Sequence, residues 1–224
     1  MKKLIILALC GAAVSANAQT LFYGGDFNAI NGLAAQINGP SFTDAVTYDN
    51  FTLSSSSTIT GIFGNFLETS TQHGGSLYWE IRTGVSTGNG GTVVAGGISS
   101  AATAVATGVS GFGLNEFHYE SAVSSFVLGP GDYFLGIAVD GGNGNSYVSA
   151  TDGINGVGGP LNDDVSYFNS AAFGTNFVTG ASQVGTGTAD FSVGLRGTST
   201  VPEPASLAVL GLGAVALLRR RKKA

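Results

Sequence analysis

The stretch Val123-Ser-Ser-Phe-Val-Leu128-Gly-Pro-Gly-Asp-Tyr133-Phe-Leu-Gly-Ile-Ala-Val139 sets the fold. On both sides of a short break the chain is rich in β-branched and aromatic residues, the composition of strands that bury at least one face. The break, Gly129-Pro130-Gly131-Asp132, is turn chemistry: the proline ring presets one dihedral and the flanking glycines reach positive φ. The segment therefore predicts two strands, Val123–Leu128 and Tyr133–Val139, folding back on each other as a hairpin. Runs of the same kind flank it at Val46–Leu53, Thr58–Leu67, Leu77–Thr83, Gly113–Glu120 and Ala189–Arg196, separated by Gly, Asn, Ser and Asp. No stretch between residues 19 and 197 keeps a 3.6-residue apolar period for three turns. Ser99–Gly108 is rich enough in alanine for a short helix, yet Thr103, Val105 and Thr107 alternate as in a strand. The prediction is an all-β domain, 19–197, built as a two-sheet antiparallel sandwich of the jelly-roll kind. The polar stretches Gly141–Pro160 and Asn176–Thr188 read as long loops.

The chain has 224 residues, enough for one substantial core, with 36 glycines and only 10% charged residues. Lys2, Lys3, Arg219, Arg220, Arg221, Lys222 and Lys223 lie at the two ends. Residues 19–200 hold only Arg82 and Arg196 against 13 acidic side chains, so 2 basic and 13 acidic groups leave a net charge of −11. A body so charged does not bind nucleic acid or anionic lipid electrostatically; it suits a hydrated matrix or divalent cations. The one cysteine, Cys10, lies in the first 18 residues, so a chain trimmed there has no thiol chemistry.

Residues 1–18 read as a secretory signal peptide: Lys2 and Lys3, an apolar run from Leu4 to Val14, then Ala16-Asn17-Ala18, with cleavage before Gln19. Cys10 is not read as a lipidation site, because Leu9 before it is too bulky and the cut would halve the apolar run. At the other end stand a linker, 198–204, containing Pro202-Glu203-Pro204, an apolar run, 205–218, and a basic tail, 219–224. As a helix the run spans about 21 Å, short of a ~30 Å hydrocarbon core unless arginines snorkel or the bilayer thins. Arg219, Arg220, Arg221, Lys222 and Lys223 act as a cytoplasmic stop. Pro202 and Pro204 keep Glu203 in extended backbone that a protease can reach. A plain membrane anchor is the bland alternative, but it has no need of Pro202-Glu203-Pro204.

Those three parts in that order resemble the PEP-CTERM sorting signal. The resemblance implies recognition of Pro202-Glu203-Pro204 by an exosortase, cleavage near that motif, and association with exopolysaccharide or biofilm matrix. The body is similar in style to other PEP-CTERM ectodomains through Asp49–Leu53 and Phe191–Leu195.

Catalytic chemistry is sparse. His73 and His118 are the only imidazoles, and no Gly-x-Ser-x-Gly or phosphate loop occurs. No catalytic residue and no metal ligand is assigned. Glu116, His118 and Glu120 share one face of a strand, with Phe117 and Tyr119 turned to the core. About 6.8 Å between in-line residues suits a polar strand face better than one metal ion. Asp140, Asn143 and Asn145, with Asp152, Asp163 and Asp164, have the oxygen-rich look of a calcium loop without EF-hand spacing. Calcium is the one cofactor the sequence suggests, and a plain loop is the simpler account. Nothing pairs Glu68, Glu80, Glu116 or Glu120 for glycoside cleavage.

Exposed aromatics can stack a sugar; Tyr23, Tyr48, Tyr78, Tyr119, Tyr133, Tyr147 and Tyr167 are the candidates. Trp79, alternating with Leu77 and Ile81, belongs to the core, with Tyr78, Glu80 and Arg82 on the opposite, wetter face. The expectation is an exported, non-catalytic surface or matrix protein that uses the Sec machinery and an exosortase. A carbohydrate-binding module is the alternative and an outer-membrane β-barrel a third reading.

Overall fold

The computed structural model describes residues 18–69, 75–185 and 189–199. The strands are β1 (Gln19–Tyr23), β2 (Phe27–Ala34), β3 (Gln36–Ile37), β4 (Asp44–Leu53), β5 (Ser57–Glu68), β6 (Ser76–Thr83), β7 (Thr92–Ser99) and β8 (Thr103–Gly111). They continue as β9 (Leu114–Leu128), β10 (Gly131–Asp140), β11 (Tyr147–Thr151), β12 (Ser166–Ser170), β13 (Thr175–Thr179), β14 (Asp190–Phe191) and β15 (Val193–Ser199). One short helix, α1 (Gly180–Val184), follows β13. Among the described residues these strands form two sheets packed as a sandwich. A 7-stranded sheet runs β13-β12-β4-β3-β10-β6-β7. An 8-stranded sheet runs β1-β15-β5-β11-β14, with β2 on β11, β9 on β5 and β8 on β9. Every pairing is antiparallel except β3 beside β10. β7 and β13 are free edges of the 7-stranded sheet, so the body is not a closed barrel.

The predicted hairpin is instead an arch. β9 ends in the 8-stranded sheet, with Leu128 opposite Ser57. β10 begins in the 7-stranded sheet, with Gly131 opposite Leu53. Proline and glycine dictate a reversal but not the partner, and here the two strands face each other across the core. Residues 54–56 carry β4 into β5 by a second arch beside the first. Tyr133 Oη donates to the Gly129 carbonyl at 3.1 Å and ties the corner. The Phe51 ring stacks between Phe22 and Tyr133, at 5.4 and 5.5 Å.

The runs Gly113–Glu120 and Val123–Leu128 form one strand, β9, because residues 123–125 bulge opposite Thr60. The run Ala189–Arg196 divides into β14 and β15 at Ser192, whose N–H donates to the Ser149 carbonyl. The stretch Gly141–Pro160 is not all loop, since β11 lies within it, and Asn176–Thr188 contains the end of β13 and α1. Within Ser99–Gly108 a turn at residues 100–101 leads into β8, which is extended from Thr103 as the alternation indicates. Tyr133, Leu135, Ile137 and Val139 line the core with Leu77, Trp79 and Ile81 in cross-strand register. Trp79 is buried as predicted and stacks on Phe126 at 5.5 Å. Among the described residues no helix is long and apolar enough to cross a membrane; the predicted helix 205–218 lies outside them.

Gly136, in the middle of β10, lets the Tyr48 ring lie directly over the backbone, where a Cβ would collide with it. Gly136→Ala should therefore destabilise the domain by about 1–3 kcal/mol, as other overpacked sites do, read as a lower melting temperature in thermal unfolding.

Candidate functional site

The strip on β9 lies as the alternation predicts: Phe117 and Tyr119 are buried, and Glu116, His118 and Glu120 take the other face. His118 Nε2 lies 3.4 Å from Glu120 Oε2, but Glu116 does not join them. Glu116 is itself buried, accepting hydrogen bonds from Ser149 Oγ at 2.7 Å and Thr107 Oγ1 at 2.8 Å. His118 Nδ1 contacts Asn65 Oδ1 at 2.8 Å. Glu120 accepts two bonds from the Arg196 guanidinium, at 3.0 and 3.2 Å. These hold its carboxyl below the usual range. Arg196 also lies 4.8 Å from the Phe63 ring centroid. The strip is structural, built around one half-buried ion pair.

The calcium candidates are dispersed. Asp140 accepts from Asn38, Asp152 from Asn28, and Asp163 from Asn50 and the Val165 N–H. Asp164 accepts from the Ala189 N–H. Among the described residues no group of three His, Cys, Asp or Glu is placed to hold a metal ion. His73 lies outside those residues, as do Ala16, Pro202, Glu203, Pro204 and Arg219 to Lys223. Ala18 is exposed and leads directly into β1 at Gln19.

Three of the seven candidate tyrosines are core. Tyr48, Tyr119 and Tyr133 are buried. The wetter face predicted for Tyr78, Glu80 and Arg82 is partly covered, because Phe177 and the loop after β6 fold over it. Glu80 is buried, paired with Arg82 at 2.7 Å and hydrogen-bonded by Tyr48 Oη. Burial and the Glu80 charge push the Tyr48 phenol far up. Glu68 is likewise buried, accepting from Tyr119 Oη at 2.7 Å and from Ser146 Oγ.

A buried acidic pair, Asp49 and Asp190, escaped the sequence. Asp49 is enclosed, its two oxygens accepting from the Asn50 and Phe191 N–H groups at 3.1 and 2.9 Å. Burial and then the neighbouring Asp190 hold its carboxyl well above the ordinary value. Asp190 is raised from 3.8 to about 6, first by burial, with Asp163 and Asp164 adding to it. Its Oδ2 accepts from the Asp163 N–H at 2.9 Å, while Oδ1 is buried without a partner. The signal available was weak: Asp49 alternates with Thr47 and Phe51, which are core positions.

A groove of about 660 Å³ lies on the outer face of the 8-stranded sheet. Leu67 of β5 and Gly32 of β2 lie in its floor. The turn between β8 and β9, which carries Phe112, and the loop after β10, which carries Asn143 and Asn145, form its walls with Tyr147. Of the predicted stacking aromatics only Tyr147 is here. Phe112 was missed, although Phe-Gly where a hairpin turn favours Asn-Gly is a readable anomaly.

Residues 200–222 match the family model described as the PEP-CTERM protein-sorting motif. The match takes in Pro202-Glu203-Pro204, the apolar run and the basic residues through Lys222. No curated protein and no solved structure matches the chain.

The raised carboxyls give stability a definite pH dependence. A carboxyl that binds its proton more tightly in the folded state contributes stability fully below its unfolded value. For Asp190 that contribution is lost as pH rises from 3.8 through about 6. Asp190→Asn keeps an acceptor for the Asp163 N–H and removes the charge. It should raise stability at pH 7 by up to about 3 kcal/mol and leave it unchanged near pH 4, measured by urea unfolding at the two pH values.

Proposed function

Since the chain carries a PEP-CTERM sorting domain, we propose that it is an exported, non-catalytic surface protein whose β-sandwich is handed to the cell exterior. The leader 1–18 takes it through the inner membrane by the Sec route. The run 205–218 then holds it, with Arg219 to Lys223 on the cytoplasmic side, while an exosortase cuts near Pro202-Glu203-Pro204. The mature body associates with exopolysaccharide in the surface matrix. The match at residues 200–222 carries this reading. Two structural features support it. Pairing in β1 begins at Gln19 and β15 ends at Ser199, so every strand among the described residues lies between the two expected cuts. Both basic residues of the body are tied into ion pairs, Arg82 with Glu80 and Arg196 with Glu120, leaving an acidic, hydrated exterior.

Replacing Pro202, Glu203 and Pro204 together by alanine should leave the folded sandwich intact and hold the protein in the inner-membrane fraction. Cell fractionation and immunoblotting in the native host read the result. Unchanged delivery to the surface or medium would defeat the proposal.

A further inference from the structure

We propose that the groove on the outer face of the 8-stranded sheet binds a neutral saccharide, with the Phe112 ring as its stacking platform. The proposal rests on the reading of the body as a polysaccharide-associated surface domain and gives that reading a site.

The groove lining contains no charged side chain, on a body that carries −11 in sequence. Ions, phosphates and acidic sugars have no counter-charge there. Its polar part is made of carboxamides, hydroxyls and glycine backbone, groups that exchange hydrogen bonds with neutral hydroxyls. Its apolar part is Pro40, Leu67, Leu114 and the Phe112 and Tyr147 rings, which suit the C–H face of a sugar ring.

Phe112 is the clearest mark of a site. Gly111 pairs with Leu114, so Phe112 and Gly113 are the two central residues of a tight hairpin turn. Their φ values are +56° and +75°. Asn-Gly is the preferred pair for that geometry, and a bulky residue there is strained. The ring is nevertheless 64% exposed at the turn's tip. Strain kept in order to present an apolar ring to solvent is a feature of binding sites.

Asn145 is the second mark. Its Oδ1 is buried without a partner, and its Nδ2 reaches only Tyr147 Oη, at 3.4 Å. An unpaired buried acceptor is costly, and turning the Asn145 carboxamide toward a ligand hydroxyl in the groove relieves it. Gly32 deepens the floor, because a Cβ there would press on Leu67 and the Val148 carbonyl at 3.0 Å.

The test uses the full chain in a non-glycosidic detergent, titrated calorimetrically with cellohexaose, laminarihexaose and maltohexaose. Trigalacturonic acid and an uncharged Gly-Ser peptide serve as counter-ligands. At least one neutral hexaose should bind, and neither counter-ligand should. F112N should weaken that binding roughly tenfold while raising the melting temperature, since Asn-Gly suits the turn; a merely structural Phe112 would leave binding unmoved. Undiminished binding by F112N would overturn the groove as the site and leave the polysaccharide reading standing. Binding of no hexaose would overturn both. Preference for the acidic sugar or the peptide would overturn the ligand class.

Discussion

The sandwich depends on two arches lying side by side at one end. Where β4 passes into β5 and β9 into β10, both chains leave one sheet and enter the other. Leu53 is held opposite Gly131 in the first sheet and Ser57 opposite Leu128 in the second. Because side chains alternate along every strand, a slip of one residue at either corner would turn the apolar faces of four strands outward. The stacked Phe22, Phe51 and Tyr133 rings fill this region. From there β5 runs the width of its sheet, pairing with β9, β15 and β11. It ends where Leu67 lies in the floor of the outer groove. One corner thus sets the core register and, through β5, the placement of a surface feature at the far end.

Charge is handled with equal economy. Arg82 and Arg196 are the only cations in residues 19–200, and each meets a carboxylate and an aromatic ring. The buried acids are handled with hydrogen bonds: Glu68 by Tyr119 and Ser146, Glu116 by Ser149 and Thr107. Asp49 and Asp190 have no cation beside them among the described residues, and burial and their neighbouring carboxylates raise their proton affinity.

Strand alternation made much of this legible. It placed Trp79 inside, Phe117 and Tyr119 inward, and Glu116, His118 and Glu120 together on the opposite face. It failed where the answer depends on partners distant in sequence. Gly129-Pro130-Gly131 states a reversal but cannot distinguish a hairpin from an arch. β11 lies within glycine- and asparagine-rich text and is a strand because β2 and β5 flank it. The burial of Glu68 and Glu80 was equally invisible, since the tyrosines that satisfy them are 51 and 32 residues away. The groove draws on β2, β5, the β8–β9 turn and the loop after β10, four pieces that no local pattern brings together. Only the odd Phe-Gly turn marked it.

The end match and the body complement each other physically. Among the described residues every strand lies between Gln19 and Ser199, inside the two segments that delivery would remove. The most direct measurement is the intact mass of the protein recovered from its native host, in membrane and medium separately. Surface delivery predicts a chain beginning at Gln19 and ending near residue 201, alone or with an added moiety. A mass that retains Arg219 to Ala224 in every fraction would contradict it and leave a domain anchored in the inner membrane.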